Sequence, residues 1–243
     1  MHGEAAAKAA EKEAKKAKIE TEVDRVLAEA KRRAAELRAG SNTGSRPKTI
    51  VLTGGPGVGK TTLIDEVAKR LRCQVVPEAA IQAIDVLNDL AGKDGQKAWR
   101  GGNSAAFGDL VGRVAMSQEK TATSADPGPS GIVLFDRTVL DNFVYSLEKG
   151  YPVPGYLDSE AAAAAAARID HVLLLDQVAS KEDIEKRNQE TGRMTDPVAS
   201  VKMTAALEEV YAKLGCCTIR FARGTVDERV AKLLSACDIT PPP

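Results

Sequence analysis

An α/β fold with a parallel sheet is what this chain predicts, and three observations predict it. Short, apolar, β-branched runs alternate with stretches of helical periodicity across residues 48–236. The first run leads directly into a glycine-rich loop and then a helix. The third run ends on an acid, Asp136, at the end of a strand, where open α/β sheets place their ligands. Parallel strands need crossover connections, so helices are expected on both faces of the sheet.

The loop reads Gly54-Gly55-Pro56-Gly57-Val58-Gly59-Lys60-Thr61, two glycines separated by four residues and followed by Lys and Thr. Thr49–Thr53 before it is a buried-strand pattern, and Leu63, Ile64, Val67 and Leu71 after it recur at helical spacing. Glycines let the backbone bring its N–H groups close to phosphate oxygens, and the positive end of the following helix adds to that field. Gly54, Gly55, Pro56, Gly57, Val58, Gly59, Lys60, Thr61 and Thr62 are therefore expected to wrap a nucleoside triphosphate, ATP being the candidate. Lys60 would reach the outer phosphates, and the Thr61 hydroxyl would join the shell of a Mg²⁺ ion.

Composition excludes several classes. The 243-residue chain has zero formal charge and 4% aromatic residues, which argues against a nucleic-acid surface. No apolar run approaches the ~20 residues that insertion in a membrane needs. Cys73, Cys216, Cys217 and Cys237 lack metal-ligand spacing, and reduced thiols fit a cytoplasmic location. Two histidines, one in the N-terminal tail and one in a strand, make neither a zinc enzyme nor a serine hydrolase. No Asn-Lys-x-Asp guanine motif occurs.

Four regions follow in order. Residues 1–39 form a charged helix, Ala-rich at first, with Ile19, Val23, Val26, Ala30, Ala34 and Leu37 along one stripe of its second half. It reads as a solvated extension or as a docking arm for a protein partner. Residues 40–47 are a Gly/Ser-rich linker, 48–236 the nucleotide-binding domain and 237–243 a tail. Within the domain, strands are expected at Cys73–Glu78, Gly131–Arg137, Asp170–Asp176 and Cys216–Phe221. Helices are expected at Ala79–Leu90, Ser104 to about Thr121, Val139–Glu148, through the alanines Ala161–Ala167, at Ser180–Glu190, Val198–Leu214 and Val226–Ala236. Gly92–Gly102 reads as a polar loop.

Five residues are candidates for catalysis: Lys60, Glu78, Asp136, Arg137 and Arg193. Asp136 is expected to hold Mg²⁺ with Thr61, although a strand-end acid can equally cap the next helix. Glu78 ends the second strand, where a carboxylate could accept the proton of an acceptor hydroxyl; a plain helix-start acid is the alternative. Arg137 matches phosphate oxygens bidentately, or pairs with Asp141 one turn on. Arg187 and Arg193 follow the fourth strand in a charged, interrupted segment suited to a lid.

Residues 48–234 resemble the P-loop AAA-type ATPase/kinase domain family that includes the ribosylnicotinamide kinase part of bacterial NAD-biosynthesis regulators and the nucleotide-binding domain of the fly TRP translocation defect protein. The resemblance rests on Thr53–Thr62, Val76-Pro77-Glu78 and Phe135-Asp136-Arg137 with Asp141 and Tyr145. It extends through Gly192-Arg193, Leu207–Tyr211 with Leu214-Gly215, and Val226–Val230. The Pro-Glu and Asp-Arg pairs also look like deoxynucleoside and thymidylate kinases. Phe221-Ala222-Arg223 stands where those relatives often have Val-Pro. The resemblance implies sheet order 2-3-1-4-5, Glu78 as base and Arg193 as lid arginine. It points to an Mg-ATP-dependent phosphotransferase acting on a small nucleoside-like hydroxyl acceptor. Its rivals are a catalytically weak nucleotide-binding subunit of a larger assembly, anchored by residues 1–39, and an NTP-hydrolysing switch.

Overall fold

The structure, a computed structural model, describes residues 2–40, 46–124, 126–176, 182 and 197–240. A long helix α1 (His2–Gly40) precedes β1 (Lys48–Thr53), α2 (Lys60–Leu71), β2 (Gln74–Val76), α3 (Ala79–Gly102) and α4 (Ser104–Ser124). Then come β3 (Ile132–Asp136), α5 (Asp141–Lys149), α6 (Ser159–Arg168), β4 (His171–Leu175), α7 (Pro197–Lys213), β5 (Thr218–Phe221) and α8 (Val226–Ala236). The expected helix at Ser180–Glu190, and Arg187 and Arg193 with it, lie outside the described residues, as does most of the linker.

All five strands are parallel in the order β2-β3-β1-β4-β5, the order the family resemblance implied. β3 and β4 flank β1 on opposite sides, so the loop after β1 opens into the crevice at the point where strand order reverses. Strand side chains alternate between two cores. Ile50, Leu52, Leu134, Leu173 and Leu175 face α2 and α8 with Leu63, Val67 and Val230. Val51, Val133, Phe135, Val172 and Leu174 face the other layer, with Phe143, Leu207 and Tyr211. Near-continuous apolar strands are what a sheet covered on both faces requires.

Two expectations need correction. Gly92–Gly102 is not a loop: α3 kinks at Gly92, whose φ of 70° suits glycine, and then resumes to Gly102. Lys, Gln, Ala and Arg between the glycines are good helix formers and outweigh the glycine spacing. The alanine run of α6, given no role in the sequence reading, is a packing surface. Ala162, Ala163, Ala165 and Ala166 are all buried, and α6 lies along α1. Small side chains let the two helices approach closely. The α1 stripe is spent there too, with Ile19, Val23, Val26, Leu27, Ala30 and Ala34 buried, while Leu37 is 50% exposed. Residues 7–18 of α1 are exposed throughout. Among the described residues, no helix is long and apolar enough to cross a membrane.

This packing is testable by volume. Ala162→Leu should cost about 1–3 kcal/mol through overpacking, whereas Ala164→Leu, at a partly exposed position of the same helix, should stay within about 0.5 kcal/mol. Urea denaturation of both variants checks the contrast.

Candidate nucleotide-binding and phosphoryl-transfer site

The loop between β1 and α2 is shaped by its glycines and held by its neighbours. Gly54, Gly57 and Gly59 all have positive φ, Gly59 at 83° being the residue that starts α2. Gly59 makes no side-chain cap, so the first N–H groups of α2 remain available to an anion. A side chain at Gly55 would overlap Ser200 of α7. The same helix fixes the loop with two hydrogen bonds: Gly55 N donates to Thr204 Oγ1 at 2.9 Å, and Ser200 Oγ donates to the Pro56 carbonyl at 2.9 Å. Lys60 is buried and folds back, its Nζ 3.4 Å from the Gly54 carbonyl and 3.2 Å from that of Gly55. The hydroxyl-bearing residues Thr61 and Thr62 are exposed.

Asp136 ends β3 opposite Leu52 of β1, and Arg137 N continues the ladder by donating to the Leu52 carbonyl. The Asp136 carboxylate is buried, and its Oδ1 has no hydrogen-bond partner. An unpartnered buried carboxylate oxygen is costly unless a cation completes it. A carboxylate oxygen of this kind suits a hard divalent ion, which Asp136 could hold. The helix-cap alternative for Asp136 finds no bond to support it: among the described residues, α5 starts at Asp141 without a side-chain cap.

Arg137 has φ 73°, a left-handed conformation that costs a non-glycine residue about 1–2 kcal/mol. Two carboxylates hold it there. Its Nε donates to Glu78 Oε1 at 3.2 Å and its Nη1 to Asp141 Oδ2 at 3.1 Å. The Arg137–Asp141 pair weighed from the sequence is present, and Glu78, at the start of α3, makes no cap bond and turns to Arg137, a contact the sequence did not suggest. Burial works against the charge on Arg137, but Tyr145, Asp141, Glu78 and Asp136 together outweigh it and raise its pKa.

Sequence reasoning missed what lies behind these residues. Asp141 Oδ2 also accepts from Thr53 Oγ1 at 2.7 Å, and Oδ1 accepts from Tyr211 Oη at 2.7 Å. Since that phenol spends its proton on Asp141, Thr138 Oγ1, 2.8 Å away, donates to Tyr211. Burial first, and then the charge of Asp141, push the Tyr211 phenol up. Tyr211 and Asp141 lay within matching stretches, but nothing in their spacing paired them. On α4, Arg113 is paired with Asp109 and lies over the Tyr156 ring, and Gln118 is bonded to Gln82. Phe107 lies under Arg100, and Trp99 is 37% exposed.

Two charges at the crevice floor are pushed toward neutrality. Burial, with Arg137 adding to it, lowers Lys60 to about 8 against the pull of Asp136, Glu78 and Asp141. Burial likewise raises Asp136 to about 6, opposed by Lys60. A raised folded-state carboxyl pKa means that folding takes up a proton. The associated stability is complete below about pH 4 and is lost as pH rises through about 6. Asp136→Asn, neutral throughout, should therefore stabilise nucleotide-free protein above pH 6 by at most about 3 kcal/mol, seen as a higher unfolding temperature, and converge on wild type toward pH 4. Thermal denaturation across pH 4–8 checks the sign.

Comparison with known proteins fits this geometry. The AAA domain family matches residues 49–229. Deoxyadenosine kinase from M. mycoides, solved with bound dATP, superposes with a TM-score of 0.51 at 15% identity, covering 78% of this chain and 99% of that one. The YorR protein of Bacillus subtilis, solved in complex with phosphorylated GDP, gives a TM-score of 0.47 at 17% identity, covering 79% of this chain and 96% of that one. Shikimate kinase from Acinetobacter baumannii, in complex with shikimate, gives 0.42 at 15% identity, over 79% of this chain and 93% of that one. At these identities the likeness is one of fold, and the first of the three carries it. No curated protein matches the sequence.

Proposed function

This chain belongs to the AAA domain family, and from that premise we propose that it transfers the terminal phosphoryl group of Mg-ATP to a hydroxyl of a small, nucleoside-like molecule. The observation that carries the reading is the setting of Glu78. Arg137 holds its carboxylate beside Lys60 and Asp136, on the flank of the crevice away from β4.

In this reading Gly54–Thr62 wraps the phosphate chain and Lys60 leaves the Gly54 and Gly55 carbonyls to meet the outer phosphates. Asp136 and Thr61 hold Mg²⁺, which when bound neutralises charge on the phosphate oxygens. Glu78 orients the acceptor hydroxyl and takes its proton as the oxygen bonds to the γ-phosphorus. The bond from that phosphorus to the β–γ bridging oxygen breaks, and ADP leaves. Arg137, fixed by two carboxylates, faces the transferring charge without having to reorganise. Arg193 is a second candidate for this task by resemblance. The nucleoside-like acceptor rests on Val76-Pro77-Glu78 and Asp136-Arg137 alone.

A second reading, a nucleotide-binding subunit that docks through α1, is favoured by the exposure of residues 7–18. The two separate cleanly. ADP release from Mg-ATP should rise with one of a panel of nucleosides, nucleoside monophosphates and ribosylnicotinamide. That turnover should fall about 100-fold or more in Lys60→Ala and in Glu78→Gln, with ATP binding kept in the latter. Tight ATP binding with no stimulation by any acceptor sinks the phosphotransferase and favours the subunit.

A further inference from the structure

The stretch Val226–Arg229 belongs to the matched region, yet the reaction just described gives it no task. Its arginine is in an unusual position. Arg229 is buried, at 5% exposure, and its guanidinium hydrogen-bonds to backbone carbonyls from three segments. Nη1 donates to the Val58 carbonyl at 3.0 Å. Nη2 donates to the Asp176 carbonyl at 2.9 Å and the Ala222 carbonyl at 3.2 Å, and Nε reaches the latter at 3.3 Å. These carbonyls lie in the phosphate loop, just past β4 and just past β5. Burial pushes the guanidinium pKa down, and the charge of Asp176 opposes it.

Apolar packing would tie three strand ends together at lower desolvation cost than a buried cation. What an apolar side chain lacks is the ability to aim a carbonyl. The peptide joining Val58 and Gly59 is planar and trans, so its C=O and N–H point in opposite directions. With the Val58 oxygen drawn to Arg229, the Gly59 N–H is turned away from it. Gly59 is the left-handed residue that starts α2, and a Cβ there would lie 3.7 Å from Arg229 Nη1. Lys60 acts in the same sense from another side, engaging the carbonyls of Gly54 and Gly55. Cations drawing loop carbonyls to themselves leave loop N–H groups free to converge on an anion. The arginine is itself well anchored, because a reciprocal capping box between Thr225 and Glu228 fixes the first turn of α8.

We infer that Arg229 is a positioning residue for the phosphate grip, acting through the Val58 carbonyl to orient the Gly59 N–H; this rests on the nucleotide-binding reading above. Calorimetric titration with MgATP and with tripolyphosphate tests it on wild type, Arg229→Lys and Arg229→Met. Lysine keeps the charge but not the fork. Both variants, titrated at a temperature where circular dichroism shows them folded, should lose about tenfold or more in affinity for ATP and a like factor for tripolyphosphate. Affinities within twofold of wild type overturn the inference, as does a loss confined to ATP. No binding by wild type itself refutes the nucleotide reading and this inference with it. Should neither variant fold, hydrogen exchange on wild type decides. MgATP should slow exchange in residues 222–230 together with 54–62, and unchanged exchange in 222–230 overturns the assignment.

Discussion

A carboxylate cut off from water has to be surrounded by donors, and the side chain that meets this requirement here, Asp141, thereby ties three parts of the molecule together. Thr53 comes from the end of β1, Arg137 from the end of β3 and Tyr211 from the last turn of α7. Arg137 keeps its left-handed backbone because its guanidinium is committed to Asp141 and Glu78. Glu78 in turn faces the crevice because Arg137 is there. The Glu78 side of the crevice thus depends on a carboxylate set behind it.

The same helix that supplies Tyr211 also braces the phosphate loop, through Ser200 and Thr204, about three and two turns earlier in its course. A rigid rod therefore spans from the loop to the acids on the far side of β1. Beneath it, Lys60 and Asp136 are held in surroundings that favour their neutral forms. Stability has been given up at the crevice floor for charges that a triphosphate and a cation would complete, a trade-off common to sites built for ligands.

How far the sequence revealed this depends on range. The phosphate loop was legible because its chemistry lies in consecutive residues. Glu78 and Asp136 were legible because strand ends are easy to find and parallel sheets present those ends to one crevice. Asp141 and Tyr211 are 70 positions apart in sequence and joined only by packing, so neither periodicity nor spacing pairs them. Arg229 is 171 positions from its loop carbonyl, and a charged residue in the first turns of a surface-like helix reads as solvated. The second half of α3 was misread because glycine count was weighed above helix propensity, while a single positive φ at Gly92 absorbs the break. The alanine run of α6 carries no chemistry, as read. Its value lies in being small opposite α1, which packs along it.

That helix divides in two at Ile19, the first residue of its buried stripe. From there onward α1 is part of the domain wall, tethered at its far end by Arg38 to the Ala166 carbonyl and midway by Asp24 to Lys213. The twelve residues 7–18 continue the same rod into solvent for about 18 Å. Because the rod is rooted in the wall, anything joined to its free end is held at a set stand-off and bearing, unlike cargo on a floppy leash. The chain carries its own mast.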